Sequence, residues 1–151
     1  MNRLVSLAAA LAIVTLLPMP QSAAEPTTVG TAVHVVINKS FEETSDPDQC
    51  MGAGALASIR RGSSVILSEG SASPDAPKVA VGQFFRSRMK DGACEVLYIT
   101  SAPVMAAFNV QFVSPTGELS STFGPNSAEP VTDQPGIAQV VGVDMEFDRQ
   151  P

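Results

Sequence analysis

From Thr31 to Phe147 the apolar residues recur at every second position in short runs, and no long stretch has helical spacing. Thr31 to Asn38 sets Val33, Val35 and Ile37 against His34 and Val36. Ser63 to Ser68 carries Val65, Ile66 and Leu67, and Lys78 to Phe85 carries Val79, Val81 and Phe84, with Gly82 in the place of a bulge. Cys94 to Thr100 is apolar on both faces, as a central strand requires. Ala107 to Val113 alternates Phe108, Val110 and Phe112 with Asn109 and Gln111. Leu119 to Phe123 and Ile137 to Phe147 complete about seven strands, the last with Asp144, Glu146 and Asp148 on its outward face as an edge would have them. Turn-rich segments separate them: Thr44 to Pro47, Glu69 to Pro77, Lys90 to Gly92, Ser114 to Gly117, and Gly124 to Gly136 with three prolines. Ala53 to Arg60 has room for one helical turn between Gly54 and Gly62. This pattern predicts an all-β fold, an antiparallel immunoglobulin-like β-sandwich.

Upstream of the strands the pattern changes. Arg3 precedes an apolar run from Leu4 to Leu17, broken by Pro18 and Pro20 and followed by Ser22-Ala23-Ala24. This is the layout of a secretory signal peptide over residues 1–24, cleaved after Ala24. The run is shorter than the roughly 20 residues a membrane-spanning helix needs. Residues 25–30 then form a flexible N-terminus, and 31–151 a single domain. At 151 residues the chain is too short for a (β/α)8 enzyme or a two-domain dinucleotide enzyme. Its formal charge of -6 opposes nucleic-acid binding, which needs a surplus of Lys and Arg. Loss of Arg3 with the leader would make the charge -7, which disfavours anionic membrane surfaces.

Two cysteines in an exported chain are most simply a disulfide. Cys50 and Cys94 are the two in the sequence, so their pairing admits one connectivity. By the chain-entropy argument, the loop they close stabilises the fold by at most roughly 4 kcal/mol. A redox-active pair would want Cys-x-x-Cys or basic neighbours, and a zinc site more ligands than two distant Cys and one His supply.

The segment from Cys50 through Gly52, Gly54, Ile59 and Gly62 to Val65 carries a further pattern. A second runs from Cys94 through Val96, Tyr98, Pro103, Phe108 and Val110 to Phe112. Together they resemble a largely uncharacterised group of small exported β-domain proteins of mycobacteria and other actinobacteria. That group has a Cys-x-Gly-x-Gly segment and a later Cys followed by alternating strands. The resemblance spans about Cys50 to Phe123 and implies export, a disulfide and a β fold, but no reaction. The group often has an aromatic residue at the position of Leu56 and an Asp at that of Ser58, and this chain departs from it at both. In physical terms, Gly52 and Gly54 permit positive φ or close backbone approach, and Pro103 ends the strand begun at Cys94.

The residues able to carry a function are few. Arg60, Arg61, Arg86, Arg88 and Lys90 gather most of the basic charge of an acidic chain into two short segments. These residues, with Gly52 and Gly54 of the adjoining loop, are the candidate binding residues for an acidic partner. His34 is the sole histidine, and no Gly-x-Ser-x-Gly elbow accompanies it, so a Ser-His-Asp hydrolase is a distant alternative. Glu42, Glu43, Asp46 and Asp48 match no EF-hand spacing. A second alternative is a carrier of small apolar ligands, with a cavity between sheets lined by Phe84, Tyr98, Phe108 and Phe112. The leading expectation is a secreted or cell-wall-associated, non-catalytic module that binds a protein or cell-envelope partner, without metal, cofactor or nucleic acid.

Overall fold

A computed structural model describes residues 25–46, 49–71 and 75–146. The expected leader, residues 1–24, lies outside them, as do Asp48, Phe147 and Asp148. The strands are β1 (Thr28–Ile37), β2 (Phe41–Glu43), β3 (Cys50–Gly52), β4 (Ser64–Glu69), β5 (Lys78–Lys90), β6 (Ala93–Pro103), β7 (Ala107–Val113), β8 (Leu119–Pro130) and β9 (Gln139–Met145), with a 3-10 turn at Gly54–Leu56.

The architecture is a closed barrel, not an immunoglobulin-like sandwich. Seven strands follow one another around it in the order β1-β6-β5-β4-β7-β8-β9, while β2 and β3 form a separate pair. Closure comes from β1, which pairs antiparallel with β6 along its length and parallel with β9 from Thr31 to Ile37. Alternation could not distinguish the two folds, because both bury one face of every strand; the difference lies in long-range pairing. β9 is flanked by β1 along its length and by β8 at Gln139 to Val141, so the stretch that carries Asp144 lies beyond the β8 pairing. Asp144 and Glu146 face solvent.

Alternation does specify the core. Val33, Val35, Ile37, Val65, Leu67, Val96, Val110, Phe112, Val141 and Val143 all point inward and are buried. Tyr98, Phe108 and Phe112, expected to line a ligand cavity, are wholly buried. Tyr98 meets Phe84 edge-on at 5.9 Å and Phe112 at 5.6 Å, and Phe112 meets Phe123 at 5.9 Å, so the rings pack on one another.

Some boundaries differ from the alternation. β1 starts at Thr28, inside the stretch expected to be flexible, and Gly30 lies so close to Gly136 that a Cβ would meet its carbonyl oxygen at 1.7 Å. Gly82 sits in regular pairing with Val65 and is required by close approach to the Val65 side chain; the bulge of β5 falls at Phe84/Arg86 instead. β8 runs on through Pro125 to Pro130, where the three prolines suggested a loop.

At the end where β1 finishes and β6 begins, the β2–β3 pair and its 3-10 turn contribute Cys50, Leu56 and Ile59 to the core. The Cys50–Cys94 disulfide, with a Cα–Cα distance of 5.7 Å, joins this plug to the barrel. Gly52 and Gly54 divide the two properties expected of them. A Cβ on Gly52 would lie 2.0 Å from the Leu56 carbonyl oxygen, whereas Gly54 has φ +58° with open space around it. Pro103 is the last residue of β6, as expected.

Candidate binding site

The turn after the plug and the bulge of β5 are adjacent because backbone bonds tie them. Ser63 N–H donates to the Arg60 carbonyl at 3.0 Å, closing a turn with Gly62 at φ +83°. Phe84 N–H then donates to the Ser63 carbonyl at 3.1 Å. One residue further along β5 the register slips: Phe84 opposes Tyr98, Arg86 opposes Leu97, and Phe85 is extra. A strand inverts its sidedness at such a bulge. Phe84 therefore turns toward Tyr98 while Phe85 and Arg86 both face outward, Phe85 with 62% of its surface exposed.

The result is a cleft of about 510 Å³ lined by Gln49, Arg61, Gly62, Phe84, Phe85, Arg86 and Ser87. Arg61 and Arg86 are exposed and make no ion pair or side-chain hydrogen bond among the described residues. Ser87 is held in place on the other side, its Oγ accepting from Cys50 N–H at 3.4 Å.

The remaining candidates go elsewhere. Arg88 and Lys90 share the outer face of β5 with Arg86, but both turn to Glu95: Arg88 Nε lies 2.7 Å from Glu95 Oε2, and Lys90 Nζ 3.6 Å from Oε1. His34 Nε2 reaches the same carboxylate at 3.5 Å. Burial of Glu95 acts to raise its pKa, but the Arg88 hydrogen bond and the charges of Arg88, His34 and Lys90 together bring it below the usual carboxylate value. Arg60 donates from Nε to the Ala57 carbonyl and lines a smaller depression of about 180 Å³ with Ser58, Thr116 and Glu118. Ser58 Oγ is buried there without a hydrogen-bond partner among the described residues. Gly52 and Gly54 shape the plug and do not line the cleft.

Of the seven residues expected to bind, then, Arg61 and Arg86 meet at one place. The sequence reading missed Phe85 and Gln49 in the same cleft. The signal for Phe85 was present: two adjacent phenylalanines break the alternation of β5 where the bulge lies. It missed Glu95 too, although the Asp91-Gly92 hairpin, both residues at positive φ, fixes the register that sets Arg88 opposite Glu95.

His34 also borders a groove of about 580 Å³ with Ser127, Glu129 and Asp144. A Ser-His-Asp mechanism needs the histidine hydrogen-bonded to both partners. No such bond joins these side chains among the described residues, and His34 faces Glu95 instead. Among the described residues no group of three or more His, Cys, Asp or Glu is placed to hold a metal ion.

Comparison with known proteins adds no name to this geometry: no family model, curated protein or solved structure matches the chain.

Proposed function

We propose that the chain is a non-catalytic binding module, acting outside the cell or at the cell wall, that engages a protein or cell-envelope partner through the cleft between the Arg60–Ser63 turn and the β5 bulge. The observation that carries this reading is Phe85, a large apolar ring turned out to solvent in the same cleft as two arginines that lack partners among the described residues. Exposed aromatic and Arg side chains in a concavity are the composition of a binding hot spot. The disulfide fits an oxidising compartment. The carrier alternative draws nothing from the core, where rings pack on rings.

The test is capture from the culture fluid and envelope extract of the producing cells, using immobilised protein. The comparison is with a variant carrying Phe85→Ser, Arg61→Gln and Arg86→Gln, whose melting temperature should stay within a few degrees of the parent because all three side chains are exposed. Species captured by the parent and lost with the variant support the cleft. The same species retained by the variant would overturn it.

A further inference from the structure

Resting on that reading, we propose that the occupant of the cleft is an acidic peptide segment, with a carboxylate held by Arg61 and Arg86 and an apolar side chain laid on Phe85. The electrostatic part follows from how the basic residues are distributed. Arg88 and Lys90 share the one carboxylate of Glu95, which offsets half of their charge and holds Arg88 in a 2.7 Å pair, and Arg60 is tied to a backbone carbonyl. Arg61 and Arg86 line the same cleft without such partners among the described residues. Guanidinium groups present planar forks that match carboxylates in paired hydrogen bonds, and they are less strongly hydrated than ammonium groups.

The choice of a peptide over another polyanion follows from the apolar surface beside them. Val81, 57% exposed, and Phe85, 62% exposed, lie on the outer face of one strand with Gln83 between them. At roughly 3.3 Å per residue, alternate positions on such a strand are about 7 Å apart, the repeat with which an extended peptide presents side chains on one face. A phosphate-rich polymer satisfies the arginines but leaves Val81 and Phe85 in water, whereas an extended peptide with acidic and apolar side chains two positions apart, and so on one face, satisfies both. The cleft, at about 510 Å³, has room for a few side chains.

The probe is a fluorescent hexapeptide, acetyl-Asp-Ser-Phe-Ser-Leu-Ser-amide, whose Asp, Phe and Leu share one face when extended, followed by anisotropy against the disulfide-bonded protein. Its Asn-for-Asp counterpart and inorganic polyphosphate serve as comparators. The expected result is saturable binding of the acidic peptide, weakened about tenfold or more by Arg61→Gln/Arg86→Gln, by Phe85→Ser and by the Asn substitution, and weakened by added salt. Equal binding of the neutral peptide, indifference to Phe85→Ser, or tighter binding of polyphosphate than of the acidic peptide would overturn the proposal. Its failure is distinguishable from failure of the binding reading. If envelope capture depends on the three cleft residues but the acidic peptide neither binds nor competes, the peptide assignment falls and the cleft stands. If capture is indifferent to those residues, the cleft itself falls.

Discussion

The Tyr98 hydroxyl lies 2.7 Å from Ser63 Oγ, so the centre of the barrel touches the turn that carries Arg60 and Arg61. Ser63 Oγ also accepts from Arg60 N–H at 3.3 Å. Tyr98 is wholly buried, and that desolvation pushes its phenol up to about 12, against the opposing hydrogen bond of Ser63. A tyrosine in an unfolded chain ionises near 10. The folded state therefore holds the proton more tightly, and the stability this represents is complete below about pH 10 and lost as pH rises toward 12, to a total of roughly 2–3 kcal/mol. Tyr98 is the sole tyrosine in a chain without tryptophan, so ultraviolet absorbance of tyrosinate reads it directly. Native protein should titrate near pH 12, together with loss of structure, and protein in denaturant near 10. A native step near 10, with the fold intact, would show that the ring is accessible to water.

Most of the barrel's strands were legible as alternation, the local imprint of burying one face; β4 showed as a short apolar run, and β8 was legible only from Leu119 to Phe123. The barrel's closure was not legible, because the β1–β9 pairing joins residues more than 100 positions apart and leaves no mark on either strand alone. The candidate site was half legible. Arg61 and Arg86 stood out as charges in an acidic chain, but the bond from Phe84 to Ser63 that makes them neighbours involves main-chain atoms alone. Arg88 and Lys90 stood out equally and turn instead to Glu95. The β2–β3 pair of the plug escaped notice because each strand has three residues, too few to show a period, whereas its 3-10 turn falls within Ala53 to Arg60, where one helical turn was expected.

The two glycines of the plug should respond differently to the same substitution. Asparagine tolerates positive φ, and Gly54 has open space for a side chain, so Gly54→Asn should cost under about 1 kcal/mol. Gly52→Asn places a Cβ against a main-chain carbonyl that cannot rotate away, and should cost about 2–4 kcal/mol through displacement of Leu56 from the core. Urea unfolding of the two variants gives the comparison. Equal losses would mean that both positions are governed by φ.

Removing the disulfide should loosen the plug before the barrel. Cys50 and Cys94 are separated by 44 positions, and in the chain-entropy argument the bridge contributes at most roughly 4 kcal/mol. Without it the plug retains the Cys50–Ser87 hydrogen bond and the burial of Leu56 and Ile59. For Cys50→Ala/Cys94→Ala, amide exchange should accelerate most in residues 50–59, and the melting temperature should fall by roughly 10 °C or more. Uniform acceleration across all strands would mean that plug and barrel unfold as one unit.

Glu95 connects β1 and β5 across β6, since His34 and Arg88 reach its carboxylate from the strands on either side. Its pKa is lowered on folding, so the contribution of the ionised group is present above the ordinary value of 4.5 and lost as pH falls through the lower folded value. Arg88 and Lys90 are about half exposed, which limits the effect through solvent screening to under about 1 kcal/mol. Glu95→Gln should therefore be slightly less stable than the parent at pH 7 in low salt, and the gap should narrow in high salt and close as pH falls through the lowered folded pKa of Glu95. The substitution also frees Arg88 and Lys90 beside Arg86, enlarging the cationic surface next to the cleft. Acidic-peptide binding should accordingly strengthen in Glu95→Gln at low salt. Weaker binding would mean that Glu95, by anchoring Arg88, holds the strand geometry that sets the cleft at the β5 bulge.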